Sequence, residues 1–203
     1  MVASLSLVVP AEALSKIPNA FFTTRQVASE DLSAFTKWTA VLPRYEAAKK
    51  AMDERCAKDA EDCPAAKWEA LLKEQQGKPI KQKLDAVNRF FNAVTYIEDS
   101  ANYGAVDYWA TPYEMMERGA DCEDYAIAKY ISLKRLGVPE RDMRIMIVQD
   151  NNLGGIMHAV LQVSVDNTRY LLDNQATKVT TVNEIYHYRP IYAINEQQWW
   201  AYQ

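Results

Sequence analysis

One cysteine sits among three carboxylates in the run Arg118-Gly119-Ala120-Asp121-Cys122-Glu123-Asp124-Tyr125-Ala126. A glycine precedes it and an apolar helical pattern follows. Asp121 is placed to cap that helix, with Asp124 three residues on as the acidic end of a capping box. Cys122 then becomes the first helical residue, where free N–H groups and the positive end of the helix dipole favour a thiolate. The three acids oppose this, because negative charge a few ångströms away raises a thiol's pKa. A bound cation would resolve the conflict.

A nucleophilic thiol also needs a base, and the base needs a group that fixes its tautomer. His158 opens one apolar run, and Asp173 closes the next in Leu171-Leu172-Asp173-Asn174. A hairpin turning near Asn167 brings these two positions within a few residues of register. The chain order Cys122, His158, Asp173 is therefore nucleophile, base and orienting acid, on a helix start and two strands. Taken singly, each has a plainer reading as a buried thiol, a structural histidine and a turn aspartate. The coincidence of the three carries the catalytic reading. The other histidine, His187, lies between Tyr186 and Tyr188 with no acidic residue beside it.

The elements that must position these residues change character along the chain. The first half has helical periodicity. Ser29 to Lys50 is amphipathic through Leu32, Phe35, Trp38, Val41 and Leu42, with Pro43 expected to kink or end it. Further helices are expected from Pro64 to Glu74 and from Ile80 through Val94, then loop from Asp99 to Gly104. Thr111 with Pro112 signals another helix start. Beyond the Cys122 helix, which should end near Leu136-Gly137, the period becomes that of strands: Met143 to Val148, His158 to Val165, Tyr170 to Leu172 and Arg189 to Ile194. The expected class is α+β, a helical N-terminal half packed on an antiparallel sheet.

With 203 residues, 49% of them hydrophobic, the chain can bury a sizeable core, and residues 14–203 read as a single domain. A net charge of −4 argues against nucleic acid as a partner. No apolar run is long enough to span a bilayer. Residues 1–13 are small and apolar and end in Ala11-Glu12-Ala13, like the tail of a secretory signal without its basic start. Cys56 and Cys63 are spaced for a small disulfide loop, which would leave Cys122 free, the arithmetic of an exported protein with a working thiol. Three reduced thiols in a reducing compartment are the alternative.

Tyr108-Trp109-Ala110-Thr111-Pro112 and the run from Gly119 to Tyr130 resemble the bacterial transglutaminase-like cysteine peptidases, and within them the LapG-type periplasmic adhesin proteases. The resemblance extends from about Trp38 to Ile191. It implies a papain/transglutaminase-like core with Cys122 as nucleophile, His158 as base and Asp173 as orienting acid. It further implies a Ca2+ site at Asp107, Asp121 and Glu123, and a periplasmic endopeptidase that cuts the N-terminal region of a large surface adhesin at an alanine pair, dispersing biofilm. The family's inhibitory partner is an inner-membrane cyclic di-GMP receptor that sequesters the protease. Two features depart from the family pattern: the approach Gly119-Ala120-Asp121 is one residue short, and the Cys56/Cys63 segment is unusual. A transglutaminase-type acyltransferase shares the same triad logic, and a calcium-dependent binding module is the reading from a different class.

Overall fold

The switch of period near Gly137 is the boundary between helices and sheet. The computed structural model describes residues 24–59 and 63–203, so the expected signal remnant at residues 1–13 lies outside the described residues. Helices α1 (Thr36–Lys58), α2 (Ala66–Gln75), α3 (Ile80–Phe91), α4 (Asp99–Asn102), α5 (Pro112–Arg118) and α6 (Cys122–Arg135) precede most of the sheet. Strands β1 (Gln26–Ser29), β2 (Met143–Asp150), β3 (Ile156–Val165), β4 (Thr168–Leu172), β5 (Thr180–Thr181), β6 (Tyr188–Ile194) and β7 (Trp199–Tyr202) form one sheet, in the order β1-β7-β6-β2-β3-β4-β5. Every pairing is antiparallel. The β3–β4 hairpin turns on Asp166 and Asn167, both at positive φ, as a two-residue turn of this handedness requires.

Two expectations are corrected. The first helix starts at Thr36, not Ser29, and runs through Pro43 to Lys58. Its expected start is diverted by local bonds: Ser29 Oγ accepts from the Asp31 N–H (3.1 Å) and Asp31 Oδ1 from the Ser33 N–H (2.9 Å). Such side-chain acceptors compete with the helix for backbone donors. Proline removes one internal hydrogen bond, but Trp38, Val41, Tyr45 and Met52 are buried on either side of it and hold the helix together. The second correction is Asp99–Asn102, expected as loop, which forms a single helical turn.

The helices cover one sheet face. Trp38, Trp68, Phe91, Ile127, Tyr130 and Leu133 pack there against Ile145, Leu161, Val163 and Leu172. A smaller cluster on the opposite face joins Met146, Val148, Val160, Leu171, Tyr188 and Trp200. The indole N–H groups find partners, Trp38 on the Asn195 carbonyl (2.9 Å) and Trp68 on Ser132 Oγ (2.8 Å). Among the described residues no helix is long and apolar enough to cross a membrane.

Cys56 and Cys63 are bonded to each other, Cα to Cα 4.7 Å, and Cys122 is free. A loop this short restricts the unfolded chain only modestly, on the order of 2 kcal/mol. Alkylation of non-reduced protein followed by intact-mass measurement should therefore add one label, with three appearing only after reduction.

Helix α6 is buried along most of its length, and that includes Lys129 at 0% exposure. Its amine has no hydrogen-bond partner and stands 5.8 Å from the centroid of the Tyr125 ring. Burial pulls the lysine down to about 7, partly offset by the charge of Asp173. The unfolded chain therefore binds more protons between about 7 and the ordinary lysine value, and this residue's contribution to stability rises with pH across that window. The penalty is fully present below about 7. Lys129→Met keeps the shape and removes the buried amine. It should stabilise the fold at pH 7 by about 1–4 kcal/mol and flatten the alkaline rise, both readable by denaturant titration across pH.

Candidate active site

Gly119 and Ala120 guide the chain into α6. The Ala120 N–H donates to the Thr95 carbonyl (3.2 Å) and the Ile97 N–H to the Ala120 carbonyl (2.9 Å). Gly119 sits at φ +93°, and a Cβ there would lie 2.9 Å from both Ile97 Cδ1 and the Thr95 carbonyl oxygen. Only glycine fits both the backbone and the space. The Asp121 N–H then donates to Asp124 Oδ2 at 3.4 Å, the backbone half of the expected capping box. Cys122 is the first residue of α6, as expected.

Asp124 is fully buried, and its Oδ1 accepts the Ala110 N–H at 2.6 Å. The carboxylate therefore ties the segment before α5 to the start of α6. At that segment's other end the Thr111–Glu114 capping box, with Pro112 in the first turn, fixes the start of α5. Together these contacts set Asp107, Trp109 and Cys122 around one cleft.

That cleft, about 360 Å³, is lined by Cys122 and His158 together with Val106, Trp109, Ile147 and Tyr192. A larger cavity of about 880 Å³, near Lys83 and Asp142, is lined by neither cysteine nor histidine. His158 lies near the start of β3, 3% exposed, and its Nε2 is 2.9 Å from Asp173 Oδ1. With Nε2 committed to the carboxylate, Nδ1 is the ring nitrogen left for the thiol. Asp173 follows β4 directly and is well satisfied: its Oδ1 also accepts the Gln175 N–H (2.8 Å), and its Oδ2 accepts the Tyr188 hydroxyl (2.6 Å). These donors hold the carboxyl below its ordinary range, the His158 ring first among them, against the opposing effect of burial. An ionised Asp173 is what fixes the imidazole tautomer.

Tyr188 is a site contact that the sequence reading missed, although it lies beside His187 in a run of aromatics. Position gives no signal of it: β6 must cross beside β2 before its hydroxyl can meet Asp173. The imidazole of His187 lies tilted against the Tyr188 ring, centroids 4.2 Å apart, and outside the cleft lining.

The thiol's surroundings on the protein side are hostile to ionisation. Sγ donates to Glu123 Oε2 at 3.2 Å. Burial pushes the Cys122 thiol well above its ordinary value, and the charge of Glu123 adds to the rise; the Ala159 N–H works the other way. Glu123 itself is held up to about 9, first by burial and then by Asp121. Burial likewise raises Asp124 to about 8.

The acids that could hold a metal fall into two overlapping groups. Oxygens of Asp99, Asp107 and Glu123 lie within 4.8 Å of one another, and so do those of Asp99, Asp121 and Asp124. The expected set of Asp107, Asp121 and Glu123 is thus joined through Asp99, which sequence reading placed in a loop and passed over. Asp99 is buried, its N–H donates to Asp121 Oδ2 (3.3 Å), and its Oδ2 accepts from the Tyr108 N–H. Asp99 Oδ1 and Asp121 Oδ1 are buried with no hydrogen-bond partner. Buried carboxylate oxygens without donors are an unfavourable arrangement that a hard cation would relieve.

Residues 47–202 match the family described as bacterial transglutaminase-like cysteine proteinase (BTLCP). Among solved structures, calcium-bound LapG of Legionella pneumophila is similar at 31% identity, with a TM-score of 0.62 over 68% of this chain and 77% of that one. The EGTA-treated form of Legionella pneumophila LapG gives 31% identity and a TM-score of 0.63, over 69% of this chain and 76% of that one. Comparison with curated proteins gives no match.

Proposed function

The chain belongs to the bacterial transglutaminase-like cysteine proteinases, and from that premise we propose that it is a calcium-dependent periplasmic endopeptidase that cuts the N-terminal region of a large surface adhesin. The observation that carries the reading is one cleft holding Cys122 at a helix start and His158, whose far nitrogen is anchored on Asp173. His158 Nδ1 takes the Cys122 proton, and the thiolate attacks the scissile carbonyl carbon. The Cys122 N–H, free at the first turn of α6, donates to the developing oxyanion. The imidazolium then protonates the leaving amine as the C–N bond breaks. Water, deprotonated by the same imidazole, hydrolyses the thioester and restores the thiol.

Asp99, Asp107, Asp121 and Glu123 are the residues that would hold calcium. When bound, the ion supplies positive charge beside a thiol that the acids otherwise keep protonated. LapG of Legionella pneumophila, solved both calcium-bound and EGTA-treated, supports extending the ion to this chain. The Cys56–Cys63 disulfide supports an oxidising compartment. An alanine-pair cleavage site and a cyclic di-GMP receptor that sequesters the enzyme belong to the same proposal and rest on the family resemblance. The test is incubation with an alanine-rich N-terminal adhesin fragment from the same genome, with calcium and with chelator. Calcium-dependent appearance of a single new N-terminus is the expected result; an uncut fragment under both conditions would overturn the assignment of substrate.

A further inference from the structure

Lys37 is the second residue of α1, and its ammonium contacts Asp107 Oδ2. This is a poor place for a lysine on local grounds. The N-terminus of a helix carries the positive end of its dipole and favours acids, yet α1 has no acidic residue in its first turn. The contact reaches across 70 positions of sequence, so it is tertiary structure and not helix chemistry that places the charge. The carboxylate it meets is the one grouped with Asp99 and Glu123.

A protein ammonium and a divalent ion would therefore compete for one carboxylate. Resting on the calcium reading above, we propose that Lys37 is an internal counter-ion that calcium displaces from Asp107, and that this competition sets the affinity of the site. Displacement needs no backbone movement. Both side chains are about half exposed, at 49% and 46%. An adjoining cavity of about 280 Å³, lined by Phe35, Lys37, Trp109 and Tyr192, gives the freed side chain room. That cavity shares Asp107, Trp109 and Tyr192 with the cleft of Cys122, so the released ammonium would stay at the edge of the active site.

The test is isothermal titration of calcium into chelator-treated protein as the unaltered chain, Lys37→Met and Lys37→Arg. Lys37→Met removes the competitor and should tighten calcium binding about two- to fivefold, the scale expected of an exposed ion pair. Lys37→Arg keeps the charge and should bind within twofold of the unaltered chain. The affinity difference should shrink as sodium chloride is raised, because screening weakens the ammonium's hold on Asp107. Because Lys37 is half exposed, circular dichroism of the variants should match the unaltered chain. Equal or weaker calcium binding by Lys37→Met would overturn the inference while leaving the metal site standing. No calcium binding by the unaltered chain would overturn the metal site and this inference with it.

Discussion

Cys122→Ala abolishes cleavage and leaves the fold intact: that is the first expected result. The substitution removes a single sulfur from the lining of a cleft and introduces no charge. The lost contact is one donation from a neutral thiol to Glu123 Oε2, a weak hydrogen bond. Melting temperature should stay within a few degrees, while the cleavage rate falls on the order of 10⁴-fold or more, as when the nucleophile of a hydrolytic triad is removed. His158→Ala should be comparably inactive, but for a different reason and with a stability cost. It strips Asp173 of its imidazole partner and leaves a buried carboxylate with the Tyr188 and Gln175 donors alone. His187→Ala should retain most activity, since that ring lies outside the cleft lining. Initial rates on the adhesin fragment, paired with thermal melts, separate these outcomes. Full activity in Cys122→Ala would eliminate the thiol mechanism. Activity lost with His187 and kept without His158 would move the base to the other histidine.

The parts of this site written in short-range sequence were legible before the structure. Asp121, Cys122 and Asp124 specify a helix start by spacing alone, and the helix begins at Cys122. Thr111, Pro112 and Glu114 do the same for α5. The Asp166-Asn167 turn is equally local, because few residue pairs accept two positive φ angles in succession. What escaped was set by long-range partners. Asp99 takes its place in the acidic cluster only because α4 docks beside the start of α6, where its N–H meets Asp121. Tyr188 meets Asp173 only because β6 crosses to pair with β2. Strands β1, β5 and β7 are four residues or fewer, too short for an alternating pattern to show. Gln26 to Ala28 are all exposed, so β1 is held by its pairing with β7 and carries no hydrophobic signature of its own.

Withdrawing calcium should silence the enzyme and soften the fold together. The acids around Cys122 explain both effects. Carboxylates of Asp99, Asp107, Asp121 and Glu123 converge from α4, the segment before α5 and the start of α6, so an ion shared among them ties three pieces of chain to the nucleophile. A ligand present at a hundredfold excess over its dissociation constant stabilises the folded state by about 2.7 kcal/mol. For a chain of this size that corresponds to a melting shift of about 5–10 °C. Magnesium should restore little, because its tight octahedral shell suits a site of loosely spaced carboxylates poorly. Protons compete for the same oxygens. Glu123 is held up to about 9, so calcium must displace its proton at any lower pH, and apparent affinity should tighten as pH rises toward that value. Glu123→Gln gives the discriminating experiment, because the two readings of the acids differ in whether a calcium response is there to lose. If Glu123 only sits in the first turn of α6 and suppresses the thiol, neutralising it should speed alkylation of Cys122 above about pH 9, where the native carboxyl is ionised, with no calcium response to lose. If it is a ligand, calcium should no longer raise either the cleavage rate or the melting temperature. A wild-type rate that stays flat from chelator to millimolar calcium would decide against the metal.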